Sequence, residues 1–191
     1  MIKVGLTGGI GAGKSIVARV LATMGFPVFY SDKVGKELLS DNSDIQNEVI
    51  NIFGNEAYAE GELNRGFLAK MIFSDNQLKE KLNAIIHPAV REEFDAWSKK
   101  QNSTIVFNEA AILFETGSYK NFDKNILVTA PEEIRINRVM ERDDSSKEEI
   151  RSRMENQWSD SRKKKLADFE IVNDGNQLII PQLEKILNEI G

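Results

Sequence analysis

A lysine and a serine follow a glycine-rich run near the start of the chain, and this combination suits phosphate chemistry. Residues 8–15 read Gly-Gly-Ile-Gly-Ala-Gly-Lys-Ser, which matches the spacing of a phosphate-binding loop, or P-loop. In such a loop backbone N–H groups converge on a phosphate, a lysine bridges the β- and γ-phosphates, and a hydroxyl ligates Mg²⁺. The alternative is a turn that packs a helix on a sheet, but it gives no reason for the lysine and the serine. The predicted triphosphate-binding residues are Gly9, Gly11, Ala12, Gly13, Lys14, Ser15 and Ile16.

Predicted strands and helices surround this loop. The apolar residues 2–7 predict a strand before it, and the spacing of apolar residues predicts a helix that begins at Lys14. Further strands are predicted at residues 27–30, 104–107, 125–128 and 169–172. Strands that alternate with helices favour a parallel sheet flanked by helices, so the expected fold class is α/β.

The middle of the chain has a helical pattern without strand signals. Apolar stripes at helical spacing cover residues 33–100, which predicts a lobe inserted into the core. Asn64 is expected to cap the helix that follows it, and Pro88 is expected to separate two helices. The predicted division is a core of residues 1–32 and 101–191 around this lobe.

The segment after the predicted strand at 125–128 is rich in Arg and Lys. Ser145, followed by Glu148, predicts a capping box at the start of a helix. The run Arg-Lys-Lys-Lys at 162–165 is expected to be a solvated face, and Trp158 is expected to lie on an apolar helix face in the core.

Two carboxylates follow predicted strands. Asp32 comes after the strand at 27–30, and Glu109 comes after the strand at 104–107. Ligands of parallel sheets collect outside the carboxyl ends of the strands, so both carboxylates are expected near the phosphates. There a carboxylate can take a proton from an attacking hydroxyl, or hold Mg²⁺. The alternative for Asp32 is a helix N-cap.

Composition excludes several other chemistries. The 191 residues carry a formal net charge of −5, which argues against a broad basic surface that binds nucleic acid. The absence of cysteine excludes disulfides and thiolate chemistry, and a single histidine argues against a histidine-built metal site. The apolar N-terminal stretch is short and broken by glycines, and no window is long enough to span a membrane. A cytoplasmic protein is therefore expected.

Several motifs together carry a resemblance to a known family. They are Thr7 to Ser15, Asp32, Ile85-Ile86-His87-Pro88, Ile112-Leu113-Phe114-Glu115, Arg142-Asp143 and the stretch Asp168 to Gly175. In this order, along nearly the whole chain, they resemble dephospho-CoA kinase. The resemblance implies a nucleotide-kinase-like P-loop NTPase fold with a helical acceptor lobe and a lid at about residues 138–165. It also implies transfer of the γ-phosphoryl group of ATP to the ribose 3′-hydroxyl of dephospho-CoA, with Asp32 as the general base.

The resemblance also implies roles for residues outside the P-loop. Arg142 is expected to stabilise the transferred phosphoryl group from the lid, with Arg138 as the second candidate. For both, the alternative is a solvated helix charge. Asn173 and Gly175 are expected near the adenine ring. Acceptor contacts are expected from Thr7, Asp32, Arg65 and His87, although a structural role for His87 and an exposed surface position for Arg65 stay open. The predicted Mg²⁺ ligand is Ser15, with Asp32 and Glu109 as further candidates.

The chain departs from the family pattern at three positions. Tyr30 replaces a frequent acidic residue, Ile16 a threonine and Ala111 a proline, and none of these changes removes a group assigned to the chemistry. One rival interpretation is another small-molecule P-loop kinase that acts on a nucleotide or nucleoside. Another is a nucleotide-dependent binding module. A switch GTPase is disfavoured because the chain has no Asn-Lys-x-Asp motif. The sequence assigns no oligomeric state.

Overall fold

The chain divides into two units in the computed structural model, which describes residues 1–191. The first, called here the sheet unit, consists of Met1–Tyr30 and Gln101–Gly191. The second, called here the helical unit, consists of Ser31–Lys100. No helix has the length and apolar character needed to cross a membrane.

Five parallel strands form the sheet of the sheet unit. The strands are β1 (Ile2–Gly8), β2 (Val28–Tyr30), β5 (Ile105–Glu109), β6 (Lys124–Thr129) and β7 (Phe169–Val172). Their order across the sheet is β2-β5-β1-β6-β7, so the strand that leads into the P-loop is central. The predicted α/β class with a parallel sheet is confirmed.

Helices cover this sheet. They are α1 (Lys14–Thr23), α6 (Glu132–Asp143), α7 (Lys147–Glu155), α8 (Asp160–Lys164) and α9 (Ile179–Ile190). The main core forms between β1, α1 and α9, where Leu6, Leu21 and Leu183 have no solvent exposure. Burial of apolar surface of this kind contributes about 25 cal/mol per Å² and fixes α1 against the sheet.

Four helices and a short hairpin form the helical unit. Its elements are α2 (Ser31–Asp41), α3 (Ser43–Phe53), β3 (Tyr58–Ala59), β4 (Glu62–Leu63), α4 (Arg65–Ser74) and α5 (Asn76–Lys99). The unit has its own core around Val49 and Leu82. Asn64 caps α4 as predicted, because its side chain accepts a hydrogen bond from the Phe67 N–H.

The structure corrects the prediction that Pro88 separates two helices. Pro88 lies inside α5, which runs without a break from Asn76 to Lys99. An interior proline removes one helical hydrogen bond and typically costs about 3 kcal/mol. The helix packs against α2, α3 and α4, so apolar packing on both sides of the proline offsets this cost.

The capping box before α7 lies one residue later than predicted. Ser146, not Ser145, accepts a hydrogen bond from the Glu149 N–H, and the Glu149 carboxylate accepts one from the Ser146 N–H. The sequence offers two adjacent serines, each followed by a glutamate three residues later. Spacing alone therefore does not choose between them.

The sequence predicted that the basic run at 162–165 is a solvated face, and the structure corrects this for one residue: Arg162, Lys164 and Lys165 are exposed, but Lys163 is not. Lys163 is fully buried, and its ammonium lies 2.8 Å from Glu115 Oε1. Arg162 stacks on the Trp158 ring at 3.3 Å from its centroid, and Trp158 itself lies outside any helix. Lys164 pairs with Glu170 on the surface. Lys163 thus anchors α8 to a residue 48 positions earlier in the sequence, Glu115.

The buried pair predicts a large difference in stability between two neighbouring lysine variants. Lys163→Met leaves the Glu115 carboxylate buried without its cation, so we expect the free energy of unfolding to fall by about 3 kcal/mol. Lys164→Met breaks only an exposed pair and should cost less than about 1 kcal/mol. Urea unfolding of both variants measures the difference. Adding Glu115→Gln to Lys163→Met should recover part of the loss. Equal losses in the two single variants would contradict a stabilising role for the buried pair.

Candidate active site

The P-loop connects the central strand β1 to α1 and takes a shape that needs glycine at two points. Gly11 and Gly13 have φ values of 76° and 96°, in the left-handed region that other residues rarely adopt. Gly13 is also the N-cap of α1, and no side chain caps this helix. The positive end of α1 therefore points its backbone amides into the loop, which is the geometry that binds a phosphate.

Lys14 and Glu109 meet within the sheet unit. The Lys14 ammonium lies 3.9 Å from Glu109 Oε1, and the two side chains are 13% and 9% exposed. Glu109 is the last residue of β5, whose register places it opposite Leu6 of β1. The structure therefore places the second predicted carboxylate next to the P-loop lysine, where it balances the lysine charge and orients its ammonium.

The donor set at this edge of the sheet fits a magnesium ion that comes with a nucleotide. The exposed Ser15 lies in the first turn of α1, and Glu109 supplies a buried carboxylate. A hydroxyl and a carboxylate are the oxygen ligands that Mg²⁺ prefers, with substrate phosphates and waters completing the coordination. No cluster of three or more Asp, Glu, His or Cys side chains forms a metal site by itself. The assignment of Ser15 and Glu109 as ligands stays a prediction.

Asn173 links the end of β7 to the P-loop. Its side-chain amide donates a hydrogen bond of 2.9 Å to the Ala12 carbonyl, and a Cβ on Gly13 would come within 2.1 Å of that nitrogen. Arg138 donates hydrogen bonds to the Asn173 backbone and side-chain oxygens, at 3.0 and 3.4 Å. Gly175 follows in a turn with φ 87°. Two predicted nucleotide contacts, Arg138 and Asn173, are therefore tied to each other and to the loop.

Arg142 lies in the last turn of α6 and is largely exposed. Its guanidinium donates two hydrogen bonds to the Asp143 carboxylate, at 2.6 and 2.7 Å. These bonds raise the pKa of Arg142 and lower the pKa of Asp143. The structure does not bring Arg142 into contact with the P-loop, so its catalytic role stays a prediction that requires movement of the segment.

Within the helical unit, Asp32 and His87 influence each other. Asp32 is exposed in the first turn of α2, where the helix dipole favours a negative charge. His87 is half-buried on α5, which packs against α2. Burial lowers the pKa of His87, and the negative charge of Asp32 opposes part of this shift. Arg65, the first residue of α4, is exposed in the same unit.

The titration of His87 tests this pairing. We expect Asp32→Asn to lower the pKa of His87 further, because the substitution removes the negative charge that favours the imidazolium. His87 is the only histidine, so its imidazole NMR signals need no assignment. Asp41→Asn, at the far end of α2, is the matched control. An unchanged or higher pKa in Asp32→Asn would contradict the interaction.

The same shift gives the sign of a stability effect. Because the pKa of His87 is lower in the folded chain than its usual 6.5, protonation favours the unfolded state. The stability lost through this group therefore grows as the pH falls below 6.5. The loss reaches its full size below the pKa that His87 has in the folded chain. His87→Gln should remove this pH dependence of the free energy of unfolding.

Two further positions named in the sequence analysis, Thr7 and Tyr30, have contacts within the sheet unit. Thr7 is fully buried at the end of β1, and its hydroxyl donates to the Ala111 carbonyl at 3.4 Å. Tyr30, the last residue of β2, packs against the core of the sheet unit. A contact between Thr7 and an acceptor stays a prediction.

Sequence reasoning missed two residues that touch the P-loop. Arg135 donates a hydrogen bond to the Ile10 carbonyl, and Gln157 accepts one from the Ile10 N–H. Both residues lie more than a hundred positions after the loop and belong to no motif singled out in the sequence. Only the fold shows that they are neighbours of the loop.

The class of protein is a P-loop kinase fold. It is defined by the parallel sheet, by the P-loop on the central strand and by the ion pair of Lys14 and Glu109. Comparison with known proteins gives the family. A family model for dephospho-CoA kinase matches residues 2–178. The chain belongs to the dephospho-CoA kinase family and is a kinase, a phosphotransferase.

Individual relatives agree with this assignment. The chain is 40% identical to a dephospho-CoA kinase from Bacteroides fragilis over 187 residues, which cover 97% of this chain and 91% of that protein. It is also 40% identical to a dephospho-CoA kinase from Porphyromonas gingivalis over 191 residues, which cover 100% of this chain and 95% of that protein.

Solved structures of similar fold agree with this family assignment. The crystal structure of a Thermus thermophilus protein matches with a TM-score of 0.89 and 34% identity, covering 100% of this chain and 98% of that one. Dephospho-CoA kinase from Campylobacter jejuni matches with a TM-score of 0.70 and 27% identity, covering 98% and 96%. A shikimate kinase from Acinetobacter baumannii shares the fold, with a TM-score of 0.53 and 18% identity, covering 100% and 93%.

Proposed function

We propose that this chain transfers the γ-phosphoryl group of ATP to the ribose 3′-hydroxyl of dephospho-CoA, giving coenzyme A and ADP. The observation that carries the proposal is the match of the dephospho-CoA kinase family to residues 2–178, which cover the whole helical unit and most of the sheet unit. The same proposal includes a cytoplasmic location. It also includes ATP and dephospho-CoA as the small-molecule partners, and no nucleic acid partner.

The donor half of the reaction uses the P-loop. Backbone amides of the P-loop other than that of Ile10, together with those at the start of α1, hold the β-phosphate, and Lys14 bridges the β- and γ-phosphates. When bound, Mg²⁺ neutralises charge on the phosphate oxygens, and Ser15 and Glu109 would hold it. As the transition state forms, negative charge spreads over the γ-phosphoryl oxygens, and Lys14 and Arg142 stabilise it. Asn173 and Gly175 border the adenine ring.

The acceptor half uses the helical unit as the acceptor lobe. The 3′-oxygen attacks the γ-phosphorus in line, the bond from that phosphorus to the β-bridging oxygen breaks, and ADP leaves with the electron pair. Asp32 takes the hydroxyl proton, which makes the attacking oxygen a better nucleophile. Arg65 and His87 contact the acceptor. Of the segment 138–165 expected as a lid, the part before Gln157 closes and excludes water from the γ-phosphate, because Gln157, Asp160 and Lys163 are held by hydrogen bonds and ion pairs.

An acceptor panel tests the proposal. The purified protein with ATP and Mg²⁺ should release ADP when dephospho-CoA is present, and not with AMP or adenosine. Mass spectrometry and ³¹P NMR should identify a 3′-phosphate on the product, and EDTA should abolish turnover. Faster turnover with AMP or adenosine would favour a nucleotide or nucleoside kinase instead. Slow ATP hydrolysis with no acceptor dependence would favour a nucleotide-dependent binding module.

A further inference from the structure

The P-loop residue Ile10 has both of its backbone polar groups bound by side chains from outside the loop. Its N–H donates a hydrogen bond of 2.9 Å to Gln157 Oε1, and its carbonyl accepts one of 2.8 Å from Arg135 Nε. Loop backbone usually relies on water for such partners and samples several conformations. Two directed bonds on one residue select a single conformation of the loop at this point.

Arg135 is itself held in place. Its Nη1 donates to Asp160 Oδ2 at 3.1 Å, and the Arg135 side chain is only 11% exposed. Because the guanidinium binds Ile10 with one nitrogen and Asp160 with another, it has little freedom to move away from the loop.

The same arginine packs closely on two glycines that the P-loop pattern does not require. The pattern fixes glycine at positions 8 and 13, not at 9 and 11. A Cβ on Gly9 would lie 2.2 Å from Arg135 Nη2, and a Cβ on Gly11 would lie 2.4 Å from the Arg135 carbonyl oxygen. The loop therefore packs directly on Arg135, and glycine allows this close approach.

Gln157 is anchored by the buried pair described above. The N–H of its neighbour Trp158 donates to Glu115 Oε1 at 3.0 Å, and Lys163 meets the same carboxylate. The segment that carries both Gln157 and Asp160 is thus fixed to the sheet unit on each side of Trp158.

We propose that Arg135 and Gln157 are positioning residues for the phosphoryl donor: they hold Ile10 so that the P-loop has its phosphate-binding shape before the donor arrives. The proposal rests on the donor site proposed above. A loop that is ordered in advance loses less conformational entropy when a ligand binds, so its affinity is higher. Neither residue touches the reacting atoms, and their effect is expected in donor binding.

Kinetics of Arg135→Met and Gln157→Met test the proposal. Losing one hydrogen bond of this kind should raise the KM for ATP about tenfold. The KM for dephospho-CoA and kcat at saturation should stay within about twofold, because positioning of the donor is recovered when it is saturating. Arg135→Lys keeps the charge and a donor for the Ile10 carbonyl, so it should recover part of the affinity. Arg19→Met removes an exposed arginine on α1 and is the matched control, with no change expected.

Amide hydrogen exchange supplies a readout that reports on the loop itself. In Gln157→Met the Ile10 amide should exchange faster than in the unsubstituted protein, while amides in the middle of β1 keep their protection. Unchanged exchange at Ile10, together with an unchanged KM for ATP, would overturn the proposal. A loss of protection throughout β1 with equal changes in all kinetic constants would assign these residues to general stability and would also overturn it.

A double-variant cycle keeps the proposal testable if the methionine variants fold poorly. Gly9→Ala should raise the KM for ATP about tenfold, because its Cβ displaces the guanidinium and breaks one hydrogen bond to the loop. In an Arg135→Ala background the same change should have little further effect. Effects that multiply in the double variant would overturn the proposal.

Lys14→Ala separates this proposal from the proposed donor site. If Lys14→Ala weakens MgATP binding by calorimetry and the Arg135 and Gln157 variants do not, the positioning role fails and the donor site stands. If Lys14→Ala binds MgATP as tightly as the unsubstituted protein, the donor site itself is wrong.

Discussion

Lys14→Ala is expected to lower kcat by a factor of about 100 to 1,000, the usual cost of removing one charge-stabilising donor from a transition state. The Lys14 ammonium is nearly buried beside Glu109 and at the start of α1, so water replaces its charge poorly. Steady-state assays at saturating ATP and dephospho-CoA measure the loss.

The same substitution also affects stability, and a second variant separates the two effects. Without Lys14, the buried Glu109 carboxylate lacks its cation, which should lower the melting temperature. Lys14→Ala combined with Glu109→Gln should regain much of this stability and none of the activity. Recovery of activity in the double variant, or near-normal turnover in Lys14→Ala, would contradict the role proposed for Lys14.

Asp32→Asn is expected to lower kcat by at least about a hundredfold, the lower range for loss of a general base. The amide keeps the size and hydrogen-bonding shape of the carboxylate and cannot accept the hydroxyl proton. We therefore expect MgATP binding, measured by calorimetry, to stay within about twofold of the unsubstituted protein. Asp41→Asn makes the same change at the far end of α2 and should leave turnover unchanged.

The opposite pattern would assign Asp32 a different role. If MgATP binding is lost and turnover at saturation survives, Asp32 holds the metal or caps α2, and the base lies elsewhere. Because the NMR titration of His87 reports on the same carboxylate, it shows independently whether the substitution leaves the helical unit folded.

Features encoded by neighbouring residues could be predicted from the sequence. The P-loop, the strands of the sheet and the Asn64 cap are each indicated by residue types within a few positions of one another, and the structure has all three. Pro88 is the informative failure: local propensity favours a break, and packing of α5 against α2, α3 and α4 overrides it.

Contacts between distant segments could not be predicted in this way. Lys163 sits in a basic run that predicts solvation, and only the approach of Glu115, 48 positions earlier, makes its burial favourable. The bonds from Arg135 and Gln157 to Ile10 are of the same kind. Such contacts depend on the three-dimensional arrangement of β1, α6 and the segment after α7, to which no short sequence pattern corresponds.

The strand order has a consequence for how this protein is made. Ile2 of β1 pairs with Ile105 of β5, and on its other edge β1 pairs with β6, which begins at Lys124. During synthesis on the ribosome, β1 emerges first, and about a hundred further residues must be made before either neighbouring strand exists. The contacts of the helical unit all lie within residues 31–100 and can therefore be completed earlier, so we expect its helices to form in the nascent chain while the glycine loop is still without its final shape.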